Sequence, residues 1–351
     1  RSCSVYADFS AGSCLIFPAQ DNGGQVDLYV NSMVRTVTTN EEGKATGVSF
    51  INKEDRTEYK LKAKVVVLAA SACSSARILL NSKSEQHPNG LGNSSDVVGK
   101  YLHDSTGGGR MAFLPELVDR KIYNEDGVGG MHVYSPWWLD NKNLNFPRGY
   151  HIEVWGGMGA PSYGSGFNVN DLNKFFGIKV GGYGDMLRTD MRKYYGTVLG
   201  MDGRGESIAM ESNYCEIDPD KVDEFGVPVL RFNYKWSNHE VNQAKHMQDT
   251  FEEIIHNMGA IALGDKPGKD RNYGLTKPGE IIHEVGTTRM GSDPKTSVVN
   301  EFEQLHDVSN VFVVDAGPFV SQADKNPTWT IMALAWRTSD YIVDQFKKQN
   351  F

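Results

Sequence analysis

The sequence predicts an α/β (α+β) fold, with parallel-sheet character at both ends of the chain and a different middle. Three observations predict it. Two short, continuously apolar runs, Val65–Ala70 and Val311–Val314, stand far apart in the chain, and each leads through small residues towards a helix. An apolar run of that length reads as a strand covered on both faces, as in a parallel sheet. Between them, from about Gly107 to Lys235, the composition shifts to glycine clusters and aromatic residues, among them Trp137, Trp138, Trp155 and Tyr163, which reads as strands and long loops.

The elements follow in order. Val26–Val30, Val34–Thr38 and Gly47–Ile51 are strand-like segments separated by polar turns such as Asn52–Arg56, and together predict a meander. The run Val65–Ala70 is followed by Ser71-Ala72-Cys73-Ser74-Ser75 and a short helical stretch, Ala76–Asn81. Strand, tight small-residue turn and helix start together make half of a nucleotide-binding unit. Further on, Ser237-Asn238-His239-Glu240 is a capping box. After it Val241, Ala244, Met247, Phe251, Ile254, Ile255 and Met258 recur at helical spacing until Gly259. His246 and His256 on this helix read as surface residues. Finally Val311–Val314 ends in Asp315-Ala316-Gly317, and Asn326-Pro327-Thr328 opens a long amphipathic helix marked by Ile331, Met332, Leu334, Ala335, Thr338, Tyr341 and Ile342. Asn at the cap with Pro at the first helical position is a start signal, and the positive end of such a helix stabilises negative charge.

Composition excludes several classes. The 351 residues carry 36 Lys+Arg against 44 Asp+Glu, a formal net charge of −8, which disfavours a nucleic-acid partner needing a basic face. With 39% hydrophobic and 11% aromatic residues, the chain builds a core and is not compositionally disordered. No run approaches the roughly 20 apolar residues of a membrane-spanning helix. Cys3, Cys14, Cys73 and Cys215 are too few and too irregularly spaced for a disulfide scaffold or a paired-cysteine zinc site, so no metal is expected. The chain starts at Arg1 without a signal-peptide apolar region, and its N-terminal part is expected to be missing.

Common catalytic motifs are absent. The nearest approach to a G-x-S-x-G elbow, Gly205-Glu206-Ser207-Ile208-Ala209, lacks the last glycine. His283-Glu284 has no second histidine at zinc-protease spacing. There is no Walker loop and no G-x-G-x-x-G, so a chain that ends like a dinucleotide-binding protein lacks the loop that opens one. What remains are the small residues after Val65–Ala70, the run His283–Gly291, rich in glycine and threonine and suited to backbone near a ligand, and the strand-to-helix link from Asp315 to Thr328.

These residues, in this order, carry a resemblance. The patterns H-x-x-G-T-x-x-M-G from His283, V-V-D-A-G from Val313 and N-P-T-x-T-x-x-A-L-A-x-R from Asn326 resemble the C-terminal signature of the glucose–methanol–choline (GMC) oxidoreductases. Asp293-Pro294 after Met290-Gly291 is similar to the gluconate and glucoside dehydrogenase branch. Val65–Leu80, Val98–Asp104 and Pro228–Phe232 also match, so the resemblance covers almost the whole chain from about Leu15.

The resemblance implies an FAD-dependent enzyme oxidising the CH–OH group of a sugar, sugar acid or glycoside. It places His283 where the catalytic base sits and Asn326 where its partner sits. A neutral imidazole is suited to take a hydroxyl proton near neutral pH, and a side-chain amide can hold the same oxygen without titrating. It further implies that Val34 contacts the adenine side through its backbone. Ala70 and Ser71 would line the diphosphate, Asp315 and Ala316 the ribityl or diphosphate region, and Asn326, Pro327 and Thr328 the flavin edge. Val34 also reads as an ordinary strand valine and Asp315 as a loop-capping carboxylate.

The implied fold is a partial FAD-binding Rossmann-like domain, residues 1–104 and 283–351, plus an inserted antiparallel-sheet substrate domain, residues 105–282. Trp137, Trp138 and Trp155 would either stack on sugar rings or pack in its core. A dehydrogenase is preferred to an oxidase, with an electron-acceptor protein or companion subunit as the implied partner. No iron–sulfur cluster is expected, and Cys73 reads as a packed thiol. The family's N-terminal strand–loop–helix is absent, and roughly 150 to 200 further residues are expected before Arg1 from usual domain sizes. That absence also admits a reading from another class: a truncated, non-catalytic fragment or interaction module that does not hold FAD by itself.

Overall fold

The computed structural model describes residues 9–121, 132–136, 143–156, 183–194 and 196–351; Cys3, Trp137, Trp138 and Tyr163 lie outside them. In chain order the strands are β1 Ser32–Thr39, β2 Ala45–Asn52, β3 Glu58–Lys62, β4 Val66–Leu68, β5 Thr106–Phe113, β6 His132–Pro136, β7 Tyr150–Gly156, β8 Val198–Gly205, β9 Tyr214–Val222, β10 Pro228–Asn233, β11 Ile261–Leu263 and β12 Val311–Val313. The longer helices are Ala72–Asn81, Gly184–Tyr194, Asn238–Asn257 and Thr328–Lys347. No described helix is long and apolar enough to cross a membrane.

The chain divides into two units: Arg1–Tyr29, Gly107–Arg204 and Val241–Leu275 in the first, and Val30–Thr106, Gly205–Glu240 and Thr276–Phe351 in the second. The grouping departs from the partition read from the sequence mainly in two long segments. Residues up to Tyr29 belong with the middle of the chain, and Gly205–Glu240, with the β9–β10 hairpin, belongs with its ends.

In the second unit β1, β2 and β3 form the expected antiparallel meander, with β2 in the centre. The buried positions of β2 alternate, Ala45, Gly47, Ser49 and Ile51 facing in, as a half-covered strand requires. Val26–Val30, expected as a strand, is not one. Val26, Leu28, Tyr29 and Val30 are all exposed, because alternation selects a face but supplies no neighbouring strand to bond with. β4 pairs in parallel with β12, Val66 opposite Val311 and Leu68 opposite Val313. Asn310 ties this pair to the meander: its amide accepts the Ala45 N–H at 3.1 Å and donates to the carbonyls of Ala45 and Lys64 at 2.8 and 2.9 Å.

β12 is fully buried, as its sequence predicts. The expectation that Val65–Ala70 is covered on both faces is corrected. Only Val66–Leu68 forms strand, and Val67 is 46% exposed between buried Val66 and Leu68. An apolar run records that a strand can be covered, while the cover itself comes from elsewhere. The core beneath gathers Leu79, Leu91, Val299, Leu305 and Val311, and half-buried Cys73 packs against it. The neighbouring Cys215 thiol, together with burial, pushes the Cys73 thiol far above its ordinary range.

The first unit is built on a five-stranded sheet of order β11-β5-β8-β7-β6, in which β11–β5 and β6–β7 pair antiparallel. Helix Asn238–Asn257 covers it, Met247, Phe251 and Ile255 packing on Ala112, Tyr150, Ile152, Leu199 and Met201. Each large side chain so buried contributes about 1.5–3 kcal/mol. The capping box forms as expected: Ser237 Oγ accepts the His239 N–H at 3.2 Å, and the Glu240 carboxylate accepts the Ser237 N–H at 2.7 Å. His256 is exposed. His246 departs from the surface reading: it is half-buried, its Nδ1 lies 2.7 Å from the Tyr150 hydroxyl, and its ring meets Phe146 edge-on. Burial lowers its pKa.

Candidate active site

Within the second unit Ala70, Ser71, Asp315 and Ala316 follow the ends of the parallel strands β4 and β12. Ligands in open α/β sheets bind beyond those carboxyl ends. β4 runs into Ala69, Ala70 and Ser71, all exposed, before helix Ala72–Asn81 begins. Ser71 takes φ +79°, a conformation costing a non-glycine residue on the order of 1–3 kcal/mol and found most at ligand clamps and functional turns.

β12 runs into Val314-Asp315-Ala316-Gly317. Both oxygens of the buried Asp315 carboxylate are used by the chain: Oδ1 accepts the Gly317 N–H at 2.8 Å and Oδ2 the Ser75 hydroxyl at 2.5 Å. Ser75 Oγ in turn accepts the Ala70 N–H at 3.2 Å. A single carboxylate thereby ties the two strand ends together. Burial raises the Asp315 pKa, and these hydrogen bonds oppose the rise.

The segment after His283 runs beside the Asp315 loop. Gly286 and Thr288 donate their N–H groups to Ala316 and Gly317 at 3.3 and 3.0 Å, and Met290 donates to Pro318 at 2.8 Å. Two glycines make the approach possible. Gly286 has φ +94°, and a Cβ there would sit 2.3 Å from the Tyr101 carbonyl oxygen; a Cβ on Gly317 would sit 2.3 Å from Thr288 Oγ1. That Thr288 hydroxyl is buried with no partner among the described residues, while Thr287 donates to the Ala72 carbonyl at 2.7 Å.

His283 is held from a third segment. His103 and Val285 exchange backbone hydrogen bonds at 3.1 and 2.9 Å, which brings Asp104 and Ser105 alongside. Asp104 Oδ1 accepts the His283 N–H at 3.0 Å and the Ser105 N–H at 2.8 Å. Ser105 Oγ lies 3.4 Å from His283 Nδ1, and the buried Gln322 amide donates to the same Oγ at 2.8 Å. Burial and the charge of Glu284 push the Asp104 pKa up to about 6.

The remaining predicted residues are placed as follows. Helix Thr328–Lys347 has Pro327 at the capping position, without a side-chain cap. Asn326 precedes the cap and does not occupy it, so the expected helix start shifts by one residue. Asn326 and Thr328 are exposed and Pro327 is buried. The loop that carries Asn326 reaches His283 through Gln322. Val34 is half-buried on β1 opposite Phe50 and packs on the core. Ala316 is buried with Ala72 and Val285. Sequence reasoning missed Ser75, Ser105 and Gln322, and used Asp104 only as the end of a matching segment. Gln322 carries no sequence signal, whereas Ser105 directly follows the run Val98–Asp104.

Comparison with known proteins follows the same lines. Two family profiles, each described as GMC oxidoreductase, match residues 3–106 and 211–335. The chain is 31% identical over 322 residues to the 2-methyl-1,2-propanediol dehydrogenase of Mycolicibacterium austroafricanum, covering 91% of this chain and 55% of that protein. It is 27% identical over 355 residues to the gluconate 2-dehydrogenase flavoprotein of Pantoea cypripedii, covering 99% and 56%. The chain therefore spans about half the length of the curated relatives it matches. Pyridoxine 4-oxidase from Mesorbium loti shares the fold, with a TM-score of 0.59 at 17% identity over 88% of this chain and 57% of that one.

Proposed function

The chain belongs to the GMC oxidoreductase family, and from that premise we propose that it carries the catalytic half of an FAD-dependent enzyme that oxidises the CH–OH group of a sugar or polyol. The observation that carries the reading is the placement of His283 beside Asp104 and Ser105, on the segment laced to the ends of β4 and β12.

The residues present suit FAD. Small, exposed Ala70 and Ser71 leave backbone open to a close approach, and the buried Thr288 hydroxyl awaits a partner. The uncapped start of a 20-residue helix offers N–H groups and positive potential to an electron-rich ring edge. Ala70, Ser71 and Ala316 would hold the diphosphate side, and Pro327 and Thr328 the ring; Asp315 serves this cradle by shaping it. Bound FAD supplies the hydride acceptor.

The chain's own residues handle the proton. With Nδ1 of His283 turned to Ser105, the hydroxyl proton of the substrate passes to Nε2, and Asp104 keeps the backbone of the base in place. Asn326 binds the same substrate oxygen. Unit two serves as the cofactor half and unit one as the substrate half of the enzyme. The experiment is anaerobic flavin reduction: sugars should bleach the absorbance band near about 450 nm of a protein-bound oxidised flavin. A His283→Ala variant that reduces as fast as the parent sinks the assigned base.

The absence of a G-x-G-x-x-G loop from the chain favours a second reading, that the 351 residues do not retain FAD by themselves. Tightly bound flavin in the purified chain would overturn it.

A further inference from the structure

The first unit contains a cavity of about 690 Å³ bordered by β5, β7, β8 and the loop after β11. Trp155 forms one wall. Its indole crosses Gly200 on β8, where a Cβ would come 2.2 Å from the ring, and its Nε1–H donates to Asp202 Oδ2 at 2.8 Å. Gly109 on β5 leaves room for that carboxylate, since a Cβ there would sit 2.5 Å from Asp202 Oδ1. Two bare glycines and one hydrogen bond thus fix the plane of an aromatic ring that borders open space.

Arg110 and Asp265 complete the polar lining. Arg110 is 7% exposed; it donates to the Gly264 carbonyl at 3.1 Å and pairs with Glu252, while its Nε is buried without an acceptor among the described residues. A fixed indole face and carboxylates that accept hydroxyl hydrogens are what a polyhydroxylated ring requires. Of the lining residues Asp202 and Asp265 are acidic and Arg110 alone is basic; Arg110 pairs with Glu252, and Arg204 reaches Asp202 at 3.8 Å.

We propose that this cavity is a carbohydrate subsite that accepts neutral or amine-bearing sugars and rejects sugar acids. It deepens the proposed function, resting on a sugar as the substrate class, and narrows that class. Sugar hydrogens lie on Trp155, and hydroxyl hydrogens go to Asp202 and Asp265.

The test is calorimetric titration of the 351-residue chain with glucose, glucosamine and gluconate at low salt, where charge effects are least screened. Glucose and glucosamine should bind in the millimolar range and gluconate about ten-fold more weakly or not at all. Trp155→Leu should weaken glucose binding about ten-fold and Trp155→Phe by less, since phenylalanine keeps the stacking face. Asp202→Asn, which preserves shape, should abolish any preference for glucosamine over glucose and keeps the test open if Trp155→Leu fails to fold by circular dichroism. No sugar binding, gluconate binding as tightly as glucose, or a folded Trp155→Leu binding like the parent each overturns the proposal. Flavin reduction without binding at this cavity would sink the subsite and leave the reaction standing. Binding without flavin reduction does the reverse.

Discussion

One oxygen of Asp104 accepts the backbone N–H groups of both Ser105 and His283, the latter 179 residues away in sequence. Removing that acceptor strands one buried and one half-buried donor, each at a cost of up to about 1–3 kcal/mol. Asp104→Ala should therefore lower unfolding stability by about 2–5 kcal/mol in urea denaturation. Asp104→Asn, which keeps an oxygen in place, should lose far less. Equal losses in the two variants would show that the shared acceptor is not what the fold depends on.

In the proposed arrangement Ser105 orients the imidazole, and its contribution should be kinetic as well as structural. Ser105→Ala in the FAD-loaded protein is expected to slow flavin reduction by about ten-fold, the worth of one orienting hydrogen bond. Its melting temperature should also fall, because the buried Gln322 amide loses its acceptor. Stopped-flow reduction at saturating sugar checks the rate. A parent-like rate would place Ser105 outside the catalytic arrangement.

Glu303 should make stability depend on pH. It is fully buried, one oxygen accepts the Thr338 hydroxyl at 2.8 Å, and the other is unpartnered among the described residues. Burial pushes its pKa up from 4.5 to about 7. A carboxyl group with a raised folded pKa binds its proton more tightly in the folded state. Its contribution is thus complete below the unfolded value and is lost as pH rises through the folded one. Stability should fall between about pH 4.5 and 7, by on the order of 3 kcal/mol for this group. Glu303→Gln, measured across the same range, should flatten that part of the profile.

Gly317 tests the knot at the strand ends. An alanine Cβ there would meet Thr288 Oγ1 at 2.3 Å and Asp315 Oδ1 at 3.0 Å. Gly317→Ala is expected to cost about 1–3 kcal/mol by overpacking and to weaken flavin retention in the loaded protein. Thermal melting and the flavin-to-protein absorbance ratio read the two effects separately, and a variant unchanged in both would contradict the packing described.

Features bonded within a few residues were legible in the sequence. The capping box of Ser237 and Glu240, the β1–β3 meander, the buried run of β12 and the long helix after Pro327 each rest on a short-range pattern of polarity or periodicity. His283 stands out in the sequence through its motif. What the sequence could not contain were the meetings across long separations: Asp104 and Ser105 with His283, Gln322 with Ser105, His246 with Tyr150, and Trp155 with Asp202. The open face of Val67 belongs with them, since an apolar residue states a tendency to be covered and does not name what covers it. Local hydrogen bonds and helical or strand periods are set by neighbours in the chain. The partners of a buried polar side chain are set by the path of the backbone, and only the tertiary structure decides that path.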